Sequence, residues 1–203
     1  MRLLCILALA GALWAGDAPR LFYSRAFPGS KPDYIQVVVD KSGDASYQEA
    51  VDDDLPVKFK LTPEEVKTVY DLAVKLDDFK HPLESPLKVA FMGTKTFRYI
   101  DGNEKTEVKY NYSEDVTAQA LQNWFERMAE SARHNIDLER AVKYDHLGVD
   151  QALNGIEESF QTGRVVAPEQ YLPMLDRVVK NETYMHQART KAAELAEYIR
   201  RSK

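Results

Sequence analysis

Before Tyr112 the apolar residues of this chain fall in short strand-like runs, alternating with polar ones from Thr106 to Tyr112 and interrupted by one helical stretch from Val66 to Leu76, whereas from Ser113 onward they recur every three or four positions. Alternation suits strands with one dry face, and the longer period suits helices with one dry stripe. This order of periods leaves few architectures open. It predicts an α+β fold, an antiparallel sheet of hairpins with a packed helix, followed by a C-terminal helical bundle.

The first half reads as two hairpin-like units around a helix. Arg20 to Phe27 and Tyr34 to Val39 are strands joined by the turn-rich segment Phe27-Pro28-Gly29-Ser30-Lys31-Pro32-Asp33. Lys41-Ser42-Gly43-Asp44 turns the chain into a return strand, Ala45 to Ala50, and Val57 to Leu61 is a short extended piece. Thr62-Pro63-Glu64-Glu65 then carries a capping box with proline at N1, so a helix starts there and buries Val66, Val69, Tyr70, Ala73 and Leu76. Beyond a loop from Phe79 to Pro86, Leu87 to Tyr99 reads as a strand broken at Met92-Gly93-Thr94. Its end, Thr96 to Ile100, pairs with Thr106 to Tyr112 across Asp101-Gly102-Asn103, a hairpin signal.

The second half reads as helices. Ser113-Glu114-Asp115 opens the first, with Val116, Ala120, Trp124, Met128 and Ala132 on one side and Leu121 and Phe125 beside them. The pattern runs to about Tyr144, as one helix or two. Further helices follow around Val149 to Phe160, from Ala167-Pro168-Glu169 through Val179, and from Thr183 to Arg200. No 34-residue repeat emerges, so a small bundle is expected rather than a solenoid.

Met1-Arg2, the apolar run Leu3 to Leu9 and the small residues up to Ala15 have the form of a secretory signal. The run is too short to span a bilayer core of roughly 30 Å. Cleavage after Ala15 is expected, dividing the chain into a signal peptide (1–15), an α+β domain (16–112) and a helical region (113–203). The expected location is periplasmic or secreted. Cys5, the single cysteine, lies inside the apolar run, so no lipid anchor is expected, and the mature chain would be cysteine-free. That excludes a thiol nucleophile, iron–sulfur clusters and cysteine zinc sites. A net charge of −5 argues against nucleic acid and against a polybasic membrane contact. No transmembrane segment is expected in the mature chain.

Neither a nucleophile elbow nor a phosphate-binding loop occurs in the sequence. His81, His134, His146 and His186 lack the spacing of a helical zinc site, and Asp52-Asp53-Asp54 lacks the alternation of a calcium loop. No catalytic residue, metal site or cofactor is therefore assigned.

The stretch from about Tyr23 to Tyr112 resembles an uncharacterised α+β domain of exported bacterial proteins, a domain of unknown function also met as conserved hypothetical exported proteins. The first loop of that domain often reads Cys-x-Gly-x-Cys-Pro-x-Tyr. The corresponding run here is Phe27-Pro28-Gly29-Ser30-Lys31-Pro32-Asp33-Tyr34, in which Gly29, Pro32 and Tyr34 match and Phe27 and Lys31 replace the cysteines. The resemblance implies the fold and no activity.

A rigid loop on a sheet is a common place for recognition. The functional expectation is a non-catalytic protein- or wall-binding module whose ligand contacts include Arg25, Ser30, Tyr34 and His81. Its partner would be a protein or a cell-wall component. The rival expectation is a cysteine-independent hydrolase acting on cell-envelope polymers.

Overall fold

The computed structural model describes residues 18–202, so the expected signal segment lies outside the described residues. Six strands form one antiparallel sheet: β1 (Arg20–Ala26), β2 (Tyr34–Asp40), β3 (Asp44–Gln48), β4 (Val57–Lys60), β5 (Thr94–Asp101) and β6 (Glu104–Tyr110). Their order is β4-β3-β2-β1-β5-β6, which places the first strand inside the sheet. The helices are α1 (Pro63–Lys75), α2 (Val116–Tyr144), α3 (Gly148–Gln161), α4 (Leu172–Lys180) and α5 (His186–Arg201). This is an α+β fold with a helical C-terminal region.

Local chemistry explains most element ends. Gly43 closes the β2–β3 turn at φ +90°, and an added Cβ would lie 2.8 Å from the Leu61 carbonyl, so a side chain is excluded twice over. The capping box of α1 is complete: Glu65 N–H donates to the Thr62 hydroxyl at 3.3 Å and Thr62 N–H to the Glu65 carboxylate at 2.8 Å. Asp115 caps α2 by accepting from the N–H groups of Thr117 and Ala118.

Side chains of alternate strand positions meet different worlds. Leu21, Tyr23, Val37, Val39, Tyr47 and Phe97 point to the face covered by α1 and the first half of α2, and all are buried. Phe22, Ser24, Gln36, Val38, Thr96 and Arg98 line the opposite face and stay partly exposed. One dry and one wet face is the usual economy of an antiparallel sheet. The edges are blunted. β4 is short and carries Lys58 and Lys60, while the chain from Asp78 to Ser85 runs along β6, with Ser85 N–H donating to the Tyr112 carbonyl at 2.8 Å.

The first helix of the second half is one continuous rod of 29 residues. Its first part, through Phe125, Met128 and Ala132, belongs to the sheet core. Its last part, from Leu138 to Val142, belongs to a second core built with α3, α4 and α5. Four details depart from the sequence reading, one of them being that the helix expected from Ala167-Pro168-Glu169 starts only at Leu172, after a 3-10 turn over Pro168–Tyr171. Val116 and Ala120 are exposed, because the dry stripe of α2 runs instead through Ala118, Leu121 and Phe125. The final helix starts at His186, leaving Thr183 in the preceding turn, where its hydroxyl donates to Asn181. Finally, Leu87 to Met92 is not a strand: Gly93, at φ +88°, diverts the chain, and the ladder of β5 begins only at Thr94.

Candidate binding face at the end of the sheet

The loop after β1, the segment before β5 and the flank of α2 converge at one end of the sheet. Gly93 permits this convergence, since a Cβ there would meet the Phe27 Cβ at 2.8 Å. The Phe27 ring consequently lies edge-on to the Phe91 ring, with centroids 5.9 Å apart. Phe91 keeps 57% of its surface, and Met92 and, earlier in the same segment, Leu87 and Val89 are exposed too. Apolar side chains gathered on one surface ridge are candidates for a contact surface. The segment is held from behind by Asn111, whose amide accepts from Met92 N–H at 2.7 Å and donates to the Ala90 carbonyl at 3.0 Å.

Next to the ridge lies a cavity of about 360 Å³, and a second of about 330 Å³ adjoins it, both lined largely by polar and charged residues. Arg25 and Glu126 line both and form the wall between them. Met92 lines the first cavity, so ridge and cavity share a border. Lys95 forms its floor. This lysine is only 5% exposed, and its ammonium donates to the Asn111 carbonyl at 2.6 Å and the Met92 carbonyl at 3.3 Å. Burial lowers its pKa, with Glu126 opposing that shift and Arg25 adding to it. The Glu126 carboxylate accepts from the Tyr23 hydroxyl at 3.1 Å and the Gln122 amide at 2.9 Å. Burial, and then the Glu126 charge, push the Tyr23 phenol well above its usual range, so it stays a donor.

The second cavity continues along α2 past Glu130 and His134. Arg164 donates to Glu130 at 2.7 Å. Ser159 stands 3.0 Å from Glu130 Oε1, to which it donates, and 3.0 Å from His134 Nε2. A Ser–His–Glu set invites comparison with a nucleophilic triad, but its geometry is different. The serine proton is committed to the carboxylate, and the carboxylate sits on the Nε2 side of the ring rather than beyond Nδ1. Ser159 is also buried within α3. The set fastens α3 and the Arg164 loop to α2.

The residues named from sequence do not form one site. Arg25 points to the helix side of the sheet, beside Glu126. Tyr34 pairs with Ala26 and points to the open face, donating to Gln36 at 2.9 Å. Ser30 lies between them, its hydroxyl 2.7 Å from the Phe27 carbonyl and 2.6 Å from that of Pro32, so its proton is used within the loop. His81 is exposed beside Lys80, which pairs with Glu104 at the far end of β5 and β6. That end is separated from Thr94 by the length of an eight-residue strand, roughly 23 Å at a rise of about 3.3 Å per residue. Sequence reading missed Lys95, Glu126 and the ridge residue Phe91. Glu126 and Glu130 do fall at helical spacing on one stripe of α2, the one signal that pointed to them.

A larger hollow of about 510 Å³ lies at the other end of the sheet, between α1 and the β2–β3 turn. Asp77, Asp78 and Phe79 beside it all have positive φ. It adjoins Pro19, whose carbonyl accepts from Tyr70, and is therefore at the limit of the described chain. Among the described residues no group of three or more His, Cys, Asp or Glu comes together to hold a metal ion, and no helix is long and apolar enough to cross a membrane. Comparison with protein-family models and with curated protein sequences finds no match.

Proposed function

We propose that the chain is an exported, non-catalytic binding module of the cell envelope, whose partner is a protein or wall component, and that it belongs with the exported α+β domains it resembles. The export half of this reading rests on the charged start, the short apolar run and the small residues before Asp17. The binding half is carried by one observation: an exposed apolar ridge, Phe27 to Phe91 and Met92, bordering a cavity whose polar groups are held in place. Exposed apolar surface is costly to keep in water, and a neighbouring set of fixed polar groups supplies direction to whatever covers it.

The test is retention of the purified protein on insoluble wall sacculi and on an immobilised periplasmic extract, compared with Phe91→Glu. The substitution should abolish retention while leaving the melting temperature unchanged, because Phe91 is exposed. A Lys58→Glu control at the opposite edge of the sheet should be retained like the parent. Equal retention of Phe91→Glu would remove the ridge from the reading.

A further inference from the structure

We infer that this face takes an extended peptide carrying an acidic side chain, with the Arg25 guanidinium as the fork that receives its carboxylate; the inference rests on the binding-module reading above. Arg25 carries five N–H donors in a planar array suited to a carboxylate. Among the described residues its closest carboxylate oxygen is Glu126 Oε1, 3.9 Å from Nη1, which is an ion pair without a hydrogen bond. That same oxygen already accepts from Tyr23 and Gln122. Arg25 therefore keeps its donors for the two cavities it divides, with its side chain only 29% exposed. A guanidinium in this state, partly desolvated and not hydrogen-bonded, gains more from an incoming carboxylate than a solvated surface arginine does.

The surroundings select among carboxylates. Lys95 adds positive charge from below, yet its own donors are occupied by backbone carbonyls, so it contributes field and not contact. From α2, Gln119 spends its amide nitrogen on the Ser113 carbonyl and Asn123 accepts from Arg164. Both residues line the first cavity, and Gln119 Oε1 and Asn123 Nδ2 have no hydrogen-bond partner among the described residues, an acceptor and a donor of the kind a peptide group requires. The adjoining segment exposes Met92, Val89 and Leu87 as well as the two phenylalanines. Sugar rings stack on flat aromatic faces, but the Phe27 and Phe91 rings meet edge-on, and branched aliphatic side chains offer no such plane. Apolar peptide side chains are the better fit, so an acidic residue in the cavity and an apolar one on the ridge describe neighbouring positions of one extended strand.

The experiment is selection of a phage-displayed random heptapeptide library on the intact protein, followed by titration of one enriched peptide. Peptides with an apolar residue near an Asp or Glu should be enriched. Arg25→Gln should weaken the acidic peptide about tenfold and its Asn or Gln counterpart hardly at all. Arg25→Lys, which keeps the charge and loses the fork, should fall between, and unchanged circular dichroism melts verify that the variants fold. Enrichment without acidic residues, or independent effects of the Arg25 and peptide changes, would overturn the carboxylate fork and leave the binding module standing. No peptide enrichment with retention on wall sacculi would overturn the peptide ligand alone. Failure of both kinds of binding would overturn the inference and the module together.

Discussion

Burial acts on single side chains along α2 in ways that solution measurements can read. His134 is packed against Gly155 and Ser159, and burial lowers its pKa below the usual 6.5, against the pull of Glu130 and Asp137. A histidine with a depressed folded pKa takes up its proton first in the unfolded chain. Stability from this group is complete above about pH 6.5 and is lost as the pH falls through the folded value. Urea midpoints measured from about pH 7 to about pH 5 should therefore decline, and His134→Gln should flatten that part of the profile, leaving the carboxylate losses at lower pH. From the sequence His81 stood out among the four histidines, for its place in a proline-rich loop. Only the packing of α3 against α2 sets His134 apart, and only the sheet register separates Arg25 from Tyr34, since neighbours in a strand point to opposite faces.

At the scale of elements, local signals were strongest where the backbone itself enforces them. Thr62-Pro63-Glu64-Glu65 and Asp101-Gly102 announced a helix start and a hairpin, and both stand where they were expected. Leu87 to Met92 was misread because apolar residues suited to a strand do not make one without a partner ladder. The dry stripe of α2 was misplaced by Val116 and Ala120, small or branched residues that the terminal turn leaves in water. The residue that fixes this helix on the sheet is Phe125, fully buried, with its ring stacked on Tyr23 at 5.3 Å and near Phe97 at 6.1 Å. Phe125→Ala should cost about 3–5 kcal/mol in chemical denaturation, through lost transfer energy and the cavity left behind. Recovery of stability by a Leu at the same position would show that volume, more than ring stacking, is what the site requires.

Over the whole molecule, α2 is a shared beam between two cores. Other ties cross the same boundary. The loop after α3 inserts Val166 and Ala167 into the sheet core, Tyr171 donates to the Ser131 carbonyl at 3.1 Å, and Ala167 N–H reaches Glu65 at 3.4 Å. Coupling of this kind favours one cooperative transition. Leu153→Ala, in the second core, should lower stability by about 2–5 kcal/mol. It should shift Trp124 fluorescence, which reports the sheet core, by the same amount as the helical signal at 222 nm. Separate midpoints would mean that the two cores melt independently. By itself the sequence determined the α+β class, the capped start of α1 and the tight turns, because these depend on residues within a few positions of one another. The tertiary structure alone decided the strand order, the sharing of α2 between two cores, and the meeting of Arg25, Lys95 and Glu126 beside an exposed ridge. Those features arise when a strand's register and a helix's rotation bring distant residues to one place, and such contacts leave no period in the chain.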